Sequence, residues 1–98
     1  MHKLVALYGH PKDPAHFMAF YVRVHVPLAE KLPGLQGHRY AFDVKALGGD
    51  SPYFCIFEGE FADEAAVNAA LASPEGQAVA GDIANYASGG VTLLHYEV

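Results

Sequence analysis

Tyr21 and His25 stand four residues apart in a segment that predicts a helix, Tyr-Val-Arg-Val-His-Val-Pro-Leu. Residues at this spacing share one face of a helix, so both side chains can enter the same pocket. A proline ring conflicts sterically with a helical residue before it, so we expect Pro27 to stop the helix just after His25. A phenol and an imidazole in one pocket are suited to general acid–base chemistry.

Each member of this pair has two interpretations. In the last helical turn, the negative end of the helix dipole would favour the imidazolium form of His25, which suits a general acid or a donor to an anionic ligand. Alternatively, His25 caps the helix by bonding a free carbonyl. Tyr21 either orients or protonates a substrate oxygen, or packs in the core with its hydroxyl satisfied locally.

Aromatic residues supply candidate walls for a substrate-binding pocket between the predicted sheet and helices. These candidates are Phe17, Phe20, Tyr40, Phe42 and Phe57. Apolar pockets with one or two polar groups are typical of small-molecule sites. His95, on the last predicted strand, is a further candidate for substrate contact, and the alternative places it at an exposed surface or an interface.

The six histidines and the single cysteine form no recognisable ligand motif. Cys55 lies in an apolar run, which indicates a buried structural thiol, and a lone cysteine cannot form an intramolecular disulfide. The sequence contains no glycine-rich dinucleotide motif and no P-loop. We therefore predict no cofactor and no metal, and the alternative is a metal site assembled from histidines on separate strands.

The length and composition predict one compact domain that associates with a second copy. The 98 residues fit a single domain over residues 1–98. The chain is 52% hydrophobic and 17% charged, which is more apolar material than one small core conceals, so we expect a homodimer. The net charge of -5 argues against nucleic acid or an anionic membrane as a partner. No signal peptide or membrane-length apolar segment is recognisable, which favours a cytoplasmic location.

Hydrophobic periodicity and turn residues predict four strands and two helices. The strands are predicted over residues 3–8, 35–46, 53–61 and 91–97. Asp13 is the predicted N-cap of the first helix, and Asp63 is the predicted N-cap of the second. The second helix is predicted to break at Ser73-Pro74, with the serine capping its second half.

The resulting order, βαββαβ, predicts a ferredoxin-like α+β fold with an antiparallel sheet and both helices on one face. The other face of the sheet would remain open in a monomer. Its apolar side chains need a cover, and a second copy of the same sheet is the simplest one. We therefore predict a dimeric α+β barrel.

A longer motif surrounds the tyrosine and histidine pair. It consists of Tyr21, His25, Pro27, Leu28, Lys31 and the run Pro33-Gly34-Leu35. This motif, together with the helix break at Ser73-Pro74 and Asp82 in the second half-helix, resembles the EthD family over nearly the whole chain. The resemblance implies the dimeric barrel and singles out Tyr21 and His25 as site residues. Activities in this family differ widely, so it implies a fold and a pocket better than a reaction.

Two functions from different classes follow from the resemblance. One is a small cofactor-independent enzyme, a lyase, cyclase or monooxygenase, that acts on a hydrophobic aromatic or polyketide-like metabolite by acid–base chemistry. The other is a non-catalytic binding or accessory protein that holds a hydrophobic small molecule. A polar pair facing an unfilled cavity would favour either of these, whereas a fully packed interior would indicate a structural dimer.

Overall fold

A computed structural model describes all residues from Met1 to Val98 as a four-stranded sheet with helices on one face. The strands are β1 (His2–Gly9), β2 (Gly37–Phe42), β3 (Tyr53–Phe61) and β4 (Val91–Glu97). Their order across the sheet is β2-β3-β1-β4, and all neighbouring strands are antiparallel. This is the predicted ferredoxin-like α+β fold.

The second strand is shorter than the sequence predicts. β2 ends at Phe42, and Asp43 then adopts a φ of 57°. Aspartate visits this left-handed region more readily than most residues, because its short polar side chain can bond locally. Here the Asp43 carboxylate accepts a bond from Lys45 Nζ at 3.0 Å. The chain therefore leaves the sheet at this point, and the predicted strand to residue 46 is wrong over its last four residues.

The helices begin where the sequence places their caps. They are α1 (Pro14–Phe20), α2 (Val26–Ala29), α3 (Glu64–Ala72) and α4 (Pro74–Asp82), and a short 3-10 turn (Ile83–Asn85) follows. The side chains of Asp13 and Asp63 each accept a backbone N–H from the first turn of their helix. Ser73 Oγ accepts the Gly76 N–H at 3.0 Å, which confirms the predicted break. No helix is long and apolar enough to span a membrane.

The prediction that Pro27 stops the first helix is wrong. A π-helical turn over Tyr21–His25 joins α1 to α2, and the Val26 N–H donates to the Tyr21 carbonyl five residues back. Pro27 then lies inside α2, which continues to Ala29. A proline normally clashes with the carbonyl four residues before it, and the wider π turn relieves this conflict. His25 is therefore in the middle of a continuous helical segment.

Alternate residues of the central strand point to the two faces of the sheet. Ala6 and Tyr8 pack in the core beneath the helices, whereas Val5 is paired with Leu94 on the opposite face. On that opposite face, Leu94 is 47% exposed and Tyr96 is 46% exposed. The uncovered apolar face that the sequence predicts is therefore present in the single chain.

Candidate functional site

Aromatic rings fill one end of the space between the helices and the sheet. Phe17 and Tyr21 are fully buried and stack on each other, with ring centroids 5.5 Å apart. Tyr86 meets the ring of Phe17 edge-on at 5.0 Å, and Tyr8 meets it edge-on at 5.4 Å. We call this set the aromatic cluster. Its rings occupy the interior at this end and favour packing over ligand binding.

The other end contains a cavity of about 70 Å³. Its lining is mainly aliphatic and includes Leu4, Ala6, Ala29, Leu32, Phe57, Val79, Ala80 and Ile83. Leu71 and Leu93 also line it, and they are 40% and 52% exposed, so the cavity opens at the surface. Among the lining residues, only His25 and Tyr8 have polar side-chain atoms.

His25 and Asp82 form a buried pair at this cavity. His25 Nδ1 lies 3.0 Å from Asp82 Oδ2, and the two residues are only 3% and 8% exposed. The other carboxylate oxygen, Oδ1, accepts a bond from Asn85 Nδ2 at 2.9 Å. Because a carboxylate accepts on both oxygens, we assign the proton of the neutral imidazole to Nδ1. Nε2 then carries a lone pair and makes no hydrogen bond within the chain.

Burial lowers the pKa of His25 from its ordinary value, and the neighbouring carboxylate of Asp82 opposes this shift without cancelling it. The imidazole is therefore neutral at neutral pH, and its unprotonated nitrogen is able to accept a proton. The expectation of an imidazolium favoured by a helix C-terminus is wrong, because the helix does not end there. The capping interpretation is also wrong, since the ring bonds a carboxylate and not a carbonyl.

Two further tyrosines adjoin this pair. The hydroxyl groups of Tyr8 and Tyr86 are 2.7 Å apart, and the Tyr86 ring lies 4.7 Å from that of His25. Burial raises the pKa of Tyr8 to about 12 and raises that of Tyr86 as well, so both phenols keep their protons. Tyr8 lines the cavity. If Tyr86 donates to Tyr8, the Tyr8 proton is available to a ligand oxygen.

Tyr21 lies behind His25 and does not line the cavity. Their rings stack with centroids 5.3 Å apart, so the two residues share one side of the helix as the spacing predicts. The Tyr21 hydroxyl is buried and makes no hydrogen bond of good geometry, although the Tyr8 hydroxyl and the Cys55 thiol lie close enough to act on its pKa. Burial raises the pKa of this phenol too, so it stays neutral. Its geometry is that of a packing residue that supports the imidazole ring.

The remaining predicted residues lie in three different places. Phe57 lines the cavity. Phe17 lies in the aromatic cluster, and Phe20, Tyr40 and Phe42 pack against it outside the cavity. His95 lies at the edge of the sheet, where its Nδ1 is 2.9 Å from His2 Nε2.

Cys55 is fully buried, as its apolar surroundings predict. Burial raises the pKa of its thiol to about 12, so the nucleophilic thiolate form is disfavoured.

Sequence reasoning missed the partners of His25. Asp82 was noticed only as part of the family resemblance, and it lies 57 positions from the histidine. No local signal in the sequence indicates that Tyr8, on β1, meets Tyr86, which follows the second helical segment. The available signal was the position of Asp82, three residues after Val79 and four before Tyr86, because this spacing places a carboxylate on the apolar side of the helix, where it needs a partner.

The sequence was compared with protein families and with known proteins. The chain matches the EthD domain over residues 10–90. A Rhodococcus erythropolis protein of 11.0 kDa, from the thcB-thcC intergenic region, is 41% identical over 96 residues, which cover 96% of this chain and 91% of that protein.

Solved structures share the fold along the whole chain. An ethyl tert-butyl ether d (EthD) family protein from Bacillus halodurans is 32% identical, with a TM-score of 0.92 over 100% of this chain and 98% of that one. A dimeric ferredoxin-like protein from Thermobifida fusca has a TM-score of 0.74 at 15% identity, over 99% of this chain and 90% of that one. The second likeness concerns the fold alone.

Proposed function

This chain belongs to the EthD family, and on that basis we propose that it is a cofactor-independent acid–base enzyme for a small hydrophobic metabolite. The observation that carries the proposal is the neutral imidazole of His25, held through Nδ1 by Asp82 beside an apolar cavity. A buried base of this kind, oriented by a carboxylate, is typical of sites that transfer protons. Tyr8 supplies the second polar group that such a reaction needs.

The geometry supports removal of a proton next to a carbonyl or phenol oxygen. His25 Nε2 accepts the proton from the substrate, and Asp82 stabilises the imidazolium that forms. Charge then develops on the substrate oxygen, and the Tyr8 hydroxyl donates a hydrogen bond to it, supported by Tyr86. Return of the proton from His25 to another substrate atom completes an isomerisation or cyclisation. No electron acceptor is required for this step.

The size of the cavity limits the substrate. A closed apolar cavity of about 150 Å³ holds benzene, whereas the volume here is about 70 Å³. Only the reacting portion of an aromatic or polyketide-like molecule therefore fits without movement of the lining. The rest would extend past Leu71 and Leu93 to the surface.

Hydrogen–deuterium exchange on a small aromatic ketone tests the proposal. We expect the protein to accelerate exchange of the protons next to the carbonyl of 1-indanone, followed by NMR in deuterated buffer. His25→Gln should reduce the acceleration by about 100-fold or more, because it removes the base. His16→Gln is the matched control, since His16 is exposed and bonds only a backbone carbonyl. Equal rates in the His25→Gln variant and the wild type would overturn the proposal.

The same experiment separates an enzyme from a binding protein. Chemical shifts of the cavity residues, recorded with 1-indanone present, report binding independently of exchange. Shifts in the wild type and in His25→Gln, without faster exchange in either, would favour the accessory protein that holds a hydrophobic ligand. Thermal melts of both variants establish whether each one is folded.

We also propose that the chain works as a homodimer that covers the open face of its sheet. Leu94 and Tyr96 are about half exposed there, and large apolar patches are rare on monomers. Lys3 lies on the same face and pairs with Glu58 at 3.1 Å, so its charge is already matched within the chain. The dimeric protein of the same fold supports this arrangement. Light scattering at low micromolar concentration should give twice the mass of one chain, and a stable monomer would contradict it.

A further inference from the structure

Two histidines and a glutamate meet at the edge of the sheet, outside the cavity. His2 Nε2 lies 2.9 Å from His95 Nδ1, and the two rings have centroids 5.1 Å apart. Glu64, the first residue of α3, joins them, and one ligating atom from each residue lies within 4.8 Å of the other two. None of the three lines the cavity.

The fold brings these residues together from three separate elements. In the β1–β4 ladder, His2 pairs with Glu97 and His95 pairs with Leu4, so the histidines are diagonal neighbours on one face. That is the face covered by the helices, and α3 begins there. His2 is 6% exposed, whereas Glu64 and His95 are exposed and leave an approach from solvent.

We propose that His2, His95 and Glu64 bind a divalent transition-metal ion of the Zn²⁺ type. Two imidazoles and one carboxylate form a common three-ligand set for zinc, with a fourth position left to water. Bonds of about 2.0–2.1 Å in a tetrahedral site separate two ligand nitrogens by about 3.3 Å. The nitrogens must therefore move apart by a few tenths of an ångström, the shared proton must leave, and both lone pairs must turn towards the ion. The exposed ring of His95 can supply that movement.

The charge around the three residues favours a cation. Asp63 and Glu97 line the same polar surface pocket as His2 and Glu64, and the only lining residue with a cationic group is Met1, whose terminal ammonium lies 3.5 Å from the Val98 carbonyl oxygen. Asp63 caps α3, since its Oδ1 accepts the backbone N–H of Ala66. We therefore expect Asp63 to add negative charge near the ion without binding it. A bound ion would join the β1–β4 edge of the sheet to the first turn of α3.

Metal titration of the tag-free full chain tests this site. We expect calorimetry with ZnCl₂ to give saturable binding of one ion per chain, and Co²⁺ to give the strong visible absorption of a tetrahedral site. His95→Gln and Glu64→Gln should each weaken Zn²⁺ binding by at least about tenfold, because each removes a ligand. His16→Gln is the matched control and should bind like the wild type.

Two results would overturn the proposal. One is the absence of saturable Zn²⁺ binding to the wild-type chain. The other is unchanged affinity in His95→Gln, which would show that the His95 imidazole is not a ligand. The outcome is independent of the proposed catalysis, because His25→Gln should leave Zn²⁺ binding unchanged and His95→Gln should leave ketone exchange unchanged.

Discussion

The two ends of the interface between helices and sheet differ in the size of their side chains. At the aromatic cluster, the rings of Phe17, Tyr21 and Tyr86 lie 5.0 to 5.5 Å apart and fill the interior. At the cavity, residues such as Ala29 and Ala80 are too short to reach across, and a volume of about 70 Å³ remains.

This difference shows where a small domain can make room for a ligand. Space remains where side chains are short, and bulky aromatic residues remove it by packing on one another. A search of the sequence for aromatic pocket walls therefore leads to the filled end. Of the five aromatic wall candidates, only Phe57 reaches the cavity.

The largest expected effect is on the free energy of unfolding when a large side chain is truncated at the aromatic cluster and, for comparison, at the cavity. Phe17→Ala should lower the free energy of unfolding by about 3–5 kcal/mol, because it removes a ring that is fully buried among other rings. Leu32→Ala should cost nearer 2 kcal/mol, since Leu32 already borders empty space and loses fewer contacts. Urea denaturation of both variants measures the difference. Equal losses would mean that the cavity end is packed as closely as the aromatic cluster.

Asp82→Asn tests the polar pair at the cavity. The substitution should lower the free energy of unfolding by about 1–3 kcal/mol, because the buried hydrogen bond from His25 to a carboxylate becomes a hydrogen bond to a neutral amide. It should also lower the pKa of His25 further, since the carboxylate is the group that raises it. NMR titration of the His25 ring measures this directly. A rise in the pKa would show that Asp82 does not act on His25 as its geometry indicates.

The pH dependence of stability follows from the same histidine. Because the folded-state pKa of His25 is lowered, the unfolded chain binds more protons below its own pKa of about 6.5. The contribution of the neutral His25 side chain to the free energy of unfolding is therefore complete above that pH. It is lost as the pH falls towards the folded-state pKa. Urea unfolding at pH 7.5 and pH 5.5 should show a smaller loss for His25→Gln than for the wild type. An identical loss in both would assign the acid sensitivity to other groups.

Ser73→Ala probes the helix that forms one wall of the cavity. Ser73 Oγ caps α4, and Gly76, Val79 and Ala80 of that helix line the cavity. Loss of the cap should lower the free energy of unfolding by about 1 kcal/mol. Ser73→Asp serves as the control, because it retains a capping oxygen and should lose less. Unchanged stability of Ser73→Ala in denaturant would show that the cap contributes nothing.

The smallest expected effect concerns Tyr21, the member of the aromatic cluster whose ring stacks on that of His25. Its buried hydroxyl makes no hydrogen bond of good geometry to its neighbours Tyr8 and Cys55, so Tyr21→Phe removes a poorly satisfied group and keeps the ring. We expect the free energy of unfolding to stay equal or to rise by up to about 1 kcal/mol. Thermal melts measure the change, and the ketone exchange rate should stay within a factor of about three, because Tyr21 does not touch the cavity. A large loss of exchange would instead place its hydroxyl in the reaction.

Several elements could be predicted because their signals are local. Asp63 caps α3, Ser73 caps α4, and β3 spans Tyr53–Phe61, all as the sequence indicates. Each depends on residues within one or two turns of the position concerned. Whether Pro27 ends the helix also concerns a few neighbouring residues, but the outcome depends on contacts with distant parts of the chain. A proline alone predicts a helix end, and the π turn that accommodates it is stabilised by the packing of Tyr21 and His25 beneath the helix.

Periodicity, capping residues and motifs act over short stretches of chain, so the order of elements, the ferredoxin-like α+β fold, the helix caps and the family could be predicted from the sequence. The tertiary structure alone decided that His25 meets Asp82, that Tyr8 meets Tyr86, and that His2 meets His95. These partners are 57, 78 and 93 positions apart. Their contacts depend on strand register and helix packing, and so does the protonation state of His25, because burial sets its pKa.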